Sequence, residues 1–157
     1  MKKLCSEVLS ALEGKTLATA ESCTGGMIGA MLTSVPGASK VYKGGIISYW
    51  SEVKRELLQV NEEDLQNIGP VSMQVAGAMA DGARKALHTD VAVSVTGLAG
   101  PDGDEFGRPV GTVFIGYSTG STTLAKQFRF QGSRDDVRRQ AAEAALRLIL
   151  QEVSYGH

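Results

Sequence analysis

Residues 18–26, Ala-Thr-Ala-Glu-Ser-Cys-Thr-Gly-Gly, set a serine, a cysteine and a threonine between a glutamate and two glycines, directly after Leu17. A strand that ends this way is either an ordinary turn or a nucleophile at the mouth of a site. Ser22 as nucleophile needs a base, because a serine hydroxyl is not ionised at neutral pH. Neither histidine supplies one: His88 falls at the start of a predicted strand, the wrong end of the sheet, and His157 is the last residue. A lysine can serve where burial or neighbouring cations lower its pKa. Lys54 is the best placed, one helical turn beyond the apolar run 45–49, and Tyr49 at that end can orient a substrate or relay a proton. By spacing alone, a solvated helix lysine is the simpler reading. Cys23 is the rival nucleophile. A helix N-terminus can depress a thiol pKa, but no histidine is near to activate it, and a small buried side chain is the simpler reading.

The segment 97–111, GLAGPDGDEFGRPVG, is long for a loop in so small a domain, and long loops are more often functional or mobile. It lacks the full dinucleotide fingerprint, and Gly14-Lys15-Thr16 lacks the earlier glycine of a phosphate-binding loop. Asp102, Asp104 and Glu105 match a calcium loop only loosely, which favours a solvated turn over a metal site. Near the start of the last predicted helix, Arg134 and Arg138 lie one turn apart with Arg139 beside them. Two readings stand: a surface cluster offset by Asp135 and Asp136, or a phosphate site built from arginines and free helical N–H groups.

The elements that must hold these residues follow from periodicity. With 157 residues, 43% hydrophobic and 21% charged, the chain fits one domain with a proper core. Its net charge of -1 draws it neither to nucleic acid nor to an anionic membrane. No apolar run approaches the roughly 20 residues that span a bilayer. Glu7 and Glu13 interrupt the N-terminal stretch, so it reads as an amphipathic helix rather than a signal peptide. Two cysteines suit a reducing cytoplasm. Helices are expected over about 3–12, from 26, after Ser51 with Ser51 as N-cap, within 61–70, over 72–87 and from 133, the last with a Ser133/Asp136 capping box. Its buried stripe is expected to follow Val137, Ala141, Ala144, Leu148 and Val153. Strands are expected over 16–20, 45–49 (buried), 90–96, 112–118 and 122–130, the last two as a hairpin. Helices interleaved with strands indicate a layered α/β sheet of mixed direction. In such sheets ligands bind beyond the carboxyl ends of strands, and 21–26, 49–54 and the loop after Thr96 all fall there.

Seven segments in order, AESCTGG (20–26), the Pro-Gly turn (36–37), GGIISYWSEVK (44–54), GPVS (69–72), SVTGLAGPDG (94–103), RPVGTV (108–113) and GSRDDVRRQA (132–141), give the chain a resemblance to the C-terminal domain family of the competence-damage-inducible protein CinA. They cover nearly the whole chain. The resemblance implies a single-domain, three-layer α/β/α sandwich, a homodimer or higher homo-oligomer, that needs no cofactor or metal. It also implies hydrolysis of the carboxamide of nicotinamide mononucleotide, in pyridine nucleotide recycling. Carried over, Ser22 is the nucleophile, Lys54 its base, and Tyr49 and Thr96 are site residues. Thr24, Gly25, Gly44, Gly45, Gly97, Arg134 and Arg138 are expected about the substrate, with Arg134 on the phosphate. Family members commonly read Tyr-Ser-Asn where this chain has Tyr49-Trp50-Ser51. The alternative is a non-catalytic nucleotide-binding or regulatory module that keeps the pocket without turnover.

Overall fold

The computed structural model describes residues 1–157. The elements are α1 (Lys2–Ala11), β1 (Leu17–Glu21), α2 (Met27–Thr33), a 3-10 turn (Ala38–Lys40), β2 (Tyr42–Ile47), α3 (Ser51–Leu58), α4 (Glu62–Asn67), α5 (Met73–Leu87), β3 (Val91–Gly97), β4 (Thr112–Thr119), β5 (Thr123–Arg129) and α6 (Arg134–Ser154). One sheet of order β2-β1-β3-β4-β5 joins all five strands. β1 pairs in parallel with β2 and β3, while β4 and β5 add antiparallel. Parallel neighbours need crossovers, and helices supply them. The carboxyl ends of β2, β1 and β3 therefore emerge side by side, at Ile47, Glu21 and Gly97.

Alternation along the strands assigns each helix to a layer. Val91, Val93 and Val95, with Val113, Ile115 and Tyr117, share a core with side chains of α1, α2 and α6, among them Val8, Ile28, Leu32, Leu146 and Ile149. On the other face Ala18, Ala20 and Ala92 pack against Leu58, Leu65, Val75, Met79 and Ala83 from α3, α4 and α5. The result is a three-layer α/β/α sandwich with a mixed sheet. Small residues on the second face let α5 lie against the backbone: Ser94 Oγ donates to the Ala76 carbonyl at 2.5 Å. A Cβ on Gly116 would overlap that same carbonyl.

Three local expectations change. β2 starts earlier than the expected strand and alternates half-buried with exposed residues instead of being buried, because it is the sheet edge. Ser51 is the first residue of α3 rather than its cap; Trp50 holds that position without a side-chain cap bond. The buried side of α6 is wider than a four-residue stripe, taking in Ala142, Ala145, Leu146 and Ile149, while Ala144 and Val153 are half-buried. The Ser133/Asp136 capping box forms as expected. No helix is long and apolar enough to cross a membrane.

The α5–β4 approach gives a stability test. Gly116→Ala should cost about 1–3 kcal/mol by overpacking, read as a lower denaturant midpoint at unchanged slope. An unchanged midpoint would contradict the close approach.

Candidate active site

Ser22 sits where β1 ends, and both neighbouring strands pin it. Its own N–H donates to the Val95 carbonyl of β3 at 3.0 Å, and Ser48 N–H, just past β2, donates to the Glu21 carbonyl at 2.8 Å. The chain then turns through Gly25 and Gly26, both left-handed at φ 60° and 104°, into α2. Glycine takes that conformation without the Cβ penalty. The turn is held by a group that sequence reasoning missed. The Glu21 carboxylate, 2% exposed, accepts bonds from Thr24 Oγ1 at 2.7 Å, Ile28 N–H at 2.9 Å and Gly29 N–H at 3.0 Å. It satisfies orphan donors at the start of α2, which a negative charge suits. The available signal was an acid closing an apolar strand, with a threonine three residues on and a helix close behind.

Lys54 is 2% exposed, one turn into α3. Its Nζ lies 2.9 Å from Ser22 Oγ, 2.6 Å from the Ser48 carbonyl and 3.3 Å from the Tyr49 carbonyl. A charged amine donates to all three oxygens. A neutral amine keeps two N–H bonds for the two carbonyls, and its lone pair is then free to accept from the Ser22 hydroxyl. Burial pushes the Lys54 pKa down to about 8, against a smaller opposing effect of the Cys23 sulfur. The neutral form is thus accessible near neutral pH, as a general base requires. Cys23 moves the other way. Burial pushes its thiol up to about 11, despite its own backbone N–H and the cations of Lys54, Arg138 and Arg134. It stays a thiol at neutral pH, and thiolate is the reactive form.

A cavity of about 230 Å³ opens onto this pair, lined also by Tyr49, Thr96, Gly97, Asp102 and Arg134. Thr96, 1% exposed, donates through Oγ1 to the Pro70 carbonyl at 2.7 Å. Arg134, the first residue of α6, donates to the Gly100 carbonyl at 2.5 Å and to Tyr49 Oη at 3.1 Å. The remaining expected residues do not line the cavity. Arg138 turns inward, donating to the carbonyls of Cys23 at 3.0 Å and Thr24 at 3.3 Å. Thr24 is buried and bound to Glu21, and Gly25 lies against the Arg138 guanidinium, so these three form the wall behind Ser22. Gly44 and Gly45 lie within β2: a Cβ on Gly45 would overlap Thr19 Oγ1, and one on Gly44 would reach Leu87 at 3.9 Å. Gly45 therefore serves strand packing. Pro70, Val71 and Ala99 also line the cavity; they fall in segments 69–72 and 94–103 but were not named as site residues, since an apolar side chain carries no chemistry to mark it. His88 caps the C-terminal end of α5 before β3 begins, and His157 bonds Glu152 at 2.8 Å.

A model of the CinA C-terminal domain matches residues 1–153. A CinA-like protein of Sulfurihydrogenibium sp. (strain YO3AOP1) is 50% identical over 135 residues, which is 86% of this chain and 34% of that protein. A putative competence-damage inducible protein of Acetivibrio thermocellus is 48% identical over 78% of this chain and 30% of its own length. The chain thus spans about a third of the curated relatives it matches. The crystal structure of competence damage-inducible protein A (ComA) from Klebsiella pneumoniae superposes with TM-score 0.96 at 34% identity, covering 99% of this chain and 98% of that one. That of competence/damage inducible protein CihA from Agrobacterium tumefaciens gives 0.91 at 34%, covering 96% and 93%.

The depressed Lys54 pKa couples to stability with a definite sign. Folding favours the neutral amine, so the native state binds fewer protons than the unfolded chain between pH about 8 and the ordinary 10.5. Lys54 therefore adds stability as pH rises through that window and withholds it below. The melting temperature of the parent relative to Lys54→Met should climb between pH 8 and 10.5 and be flat below pH 7. A difference independent of pH would contradict the depressed pKa. Under native conditions at pH 7, Cys23 should resist thiol reagents, and rapid modification of Cys23 would contradict its assignment as a protonated wall residue.

Proposed function

The chain belongs to the CinA C-terminal domain family, and on that premise we propose that it is a serine amidohydrolase acting on nicotinamide mononucleotide. The products are nicotinate mononucleotide and ammonia. The observation that carries the reading is the buried Lys54 amine 2.9 Å from Ser22 Oγ, at the floor of a cavity that Arg134 also lines.

In the first half-reaction, neutral Lys54 takes the Ser22 proton as Oγ attacks the carboxamide carbon. The tetrahedral intermediate collapses as Lys54 returns that proton to the departing nitrogen, which leaves as ammonia. Ser22 is left as an ester of the pyridine carboxylate. In the second, Lys54 accepts a proton from water as the oxygen adds to the ester carbon. Collapse expels Ser22 Oγ, which takes the proton back, and releases the acid. The two carbonyls of Ser48 and Tyr49 hold Nζ through both halves, because each accepts from an N–H in either charge state. Tyr49 and Thr96 line the reacting region, and Arg134 supplies a cation for the phosphate. Such a guanidinium grips phosphate with charge-assisted bonds. Arg138, already donating to two carbonyls, serves this chemistry as a wall.

The non-catalytic alternative turns on Trp50-Ser51. Trp50 is 69% exposed, and its backbone carbonyl accepts the N–H groups of Val53 and Lys54, so this departure leaves the Lys54–Ser22 pair intact. Turnover is therefore the favoured reading.

Ser22→Ala should abolish ammonia release from nicotinamide mononucleotide with a nearly unchanged melt. A parent protein that releases no ammonia would sink the enzyme reading. The parent rate should rise with pH and level off above about 8, as Lys54 loses its proton. Arg134→Ala should raise KM about ten- to hundredfold, the loss of one hydrogen bond to a charged group. It should also narrow the preference for the mononucleotide over free nicotinamide; equal parent activity on both would remove the phosphate site.

A further inference from the structure

Asp102 is the one acidic side chain lining the cavity. It is exposed and has no hydrogen-bond or ion-pair partner within the chain. Its neighbour Asp104 shows what an acid that folds this loop looks like. Asp104 accepts from the N–H groups of Phe106 at 3.1 Å and Arg108 at 2.8 Å, and from the Arg108 guanidinium at 3.4 Å. Arg134, the arginine on the same cavity, donates instead to Gly100 and Tyr49. Asp102 stands two residues beyond Gly100, so the uncommitted carboxylate and the arginine flank the same stretch of loop.

A carboxylate is acceptor-only, and beside a phosphate site it repels the ligand unless the ligand brings donors. Taking the amidohydrolase reading as given, the mononucleotide's groups can be sorted by this requirement. The phosphate is acceptor-only. The carboxamide is spent at Ser22, and the pyridinium ring, bonded directly to it, is held at that end and has no N–H or O–H to give. The ribose hydroxyls remain, a vicinal pair of donors lying between ring and phosphate, matched in number by the two oxygens of one carboxylate. We propose that Asp102 is the specificity residue for the sugar, its carboxylate accepting hydrogen bonds from the ribose 2′- and 3′-hydroxyls. The substrate class is then a ribonucleotide whose diol is free, and phosphate alone is not sufficient for recognition.

The test is a binding cycle in the Ser22→Ala background, which cannot turn the ligand over. Calorimetric Kd values are measured for Asp102 and Asp102→Ala proteins, each with nicotinamide mononucleotide and with its 2′,3′-dideoxy analogue. Removing the carboxylate should weaken mononucleotide binding about ten- to hundredfold, the loss expected for hydrogen bonds to a charged group. Removing the hydroxyls should weaken binding to the Asp102 protein similarly. The two losses should not add, so Asp102→Ala binds both ligands alike. Asp102→Asn, which keeps one carbonyl acceptor, should fall between. Equal losses on both ligands, no loss, or tighter binding of both would overturn the assignment. If ammonia release by the parent is intact while the cycle is additive, the sugar assignment alone fails. If the mononucleotide does not bind at all, the amidohydrolase reading fails with it.

Discussion

An amine sealed from water is costly in its charged form, and the arrangement around Ser22 follows from how that cost is met. Lys54 Nζ has three oxygens within reach, and two are carbonyls of consecutive residues, Ser48 and Tyr49. They are available because the chain there has left β2 at Ile47 and has not yet entered α3 at Ser51. An edge strand that stops at Ile47 and a helix that starts at Ser51, with three residues between, thus make a two-acceptor socket. The socket fits a neutral amine, with its two N–H bonds, as well as a charged one, and it aims the remaining valence at the serine. Burial decides between the two forms, drawing the pKa to about 8.

A second constraint keeps the serine facing that socket. Between Glu21 and Ile28 the chain reverses from strand to helix, and two charged side chains hold the turn from either side. The Glu21 carboxylate takes the side chain of Thr24 and two α2 amides, and Arg138 takes the carbonyls of Cys23 and Thr24. Acid and base thereby clamp opposite polarities of one short loop. The two arginines of α6 divide their work by direction: Arg138 faces into the protein, and Arg134, one turn earlier, reaches the cavity.

How much of this was legible depended on whether a local rule was enough. The capping box at Ser133 and Asp136 is fixed by spacing, and it formed. The alternation of β3 and the apolar spacing of α5 are one-dimensional signals, and both elements appeared. The convergence of Ser22, Lys54 and Thr96 at strand ends followed from the layered fold, although by spacing alone Lys54 also fitted a solvated surface lysine. The apolar run 45–49 read as a buried strand because sequence does not reveal which strand is the edge. Gly44 and Gly45 were expected beside the ligand; for Gly45, the Thr19 and Tyr42 side chains, packed where its Cβ would be, show a packing requirement that no sequence pattern marks. The carbonyl acceptors of Lys54 are backbone atoms, which no residue-type pattern can mark. The family resemblance put Arg134 on the phosphate, but residue type and spacing alone do not separate it from Arg138, since their roles depend on which face of α6 meets the loop.

The most direct measurement is the titration of Lys54 itself. With lysine labelled at Cε with carbon-13, one resonance should titrate with a midpoint near 8 and vanish in Lys54→Met. In Ser22→Ala that midpoint should persist, because burial sets it rather than the serine. A spectrum in which no lysine resonance titrates near pH 8 would mean that Lys54 stays charged beside Ser22, and the base at the centre of this site would be lost.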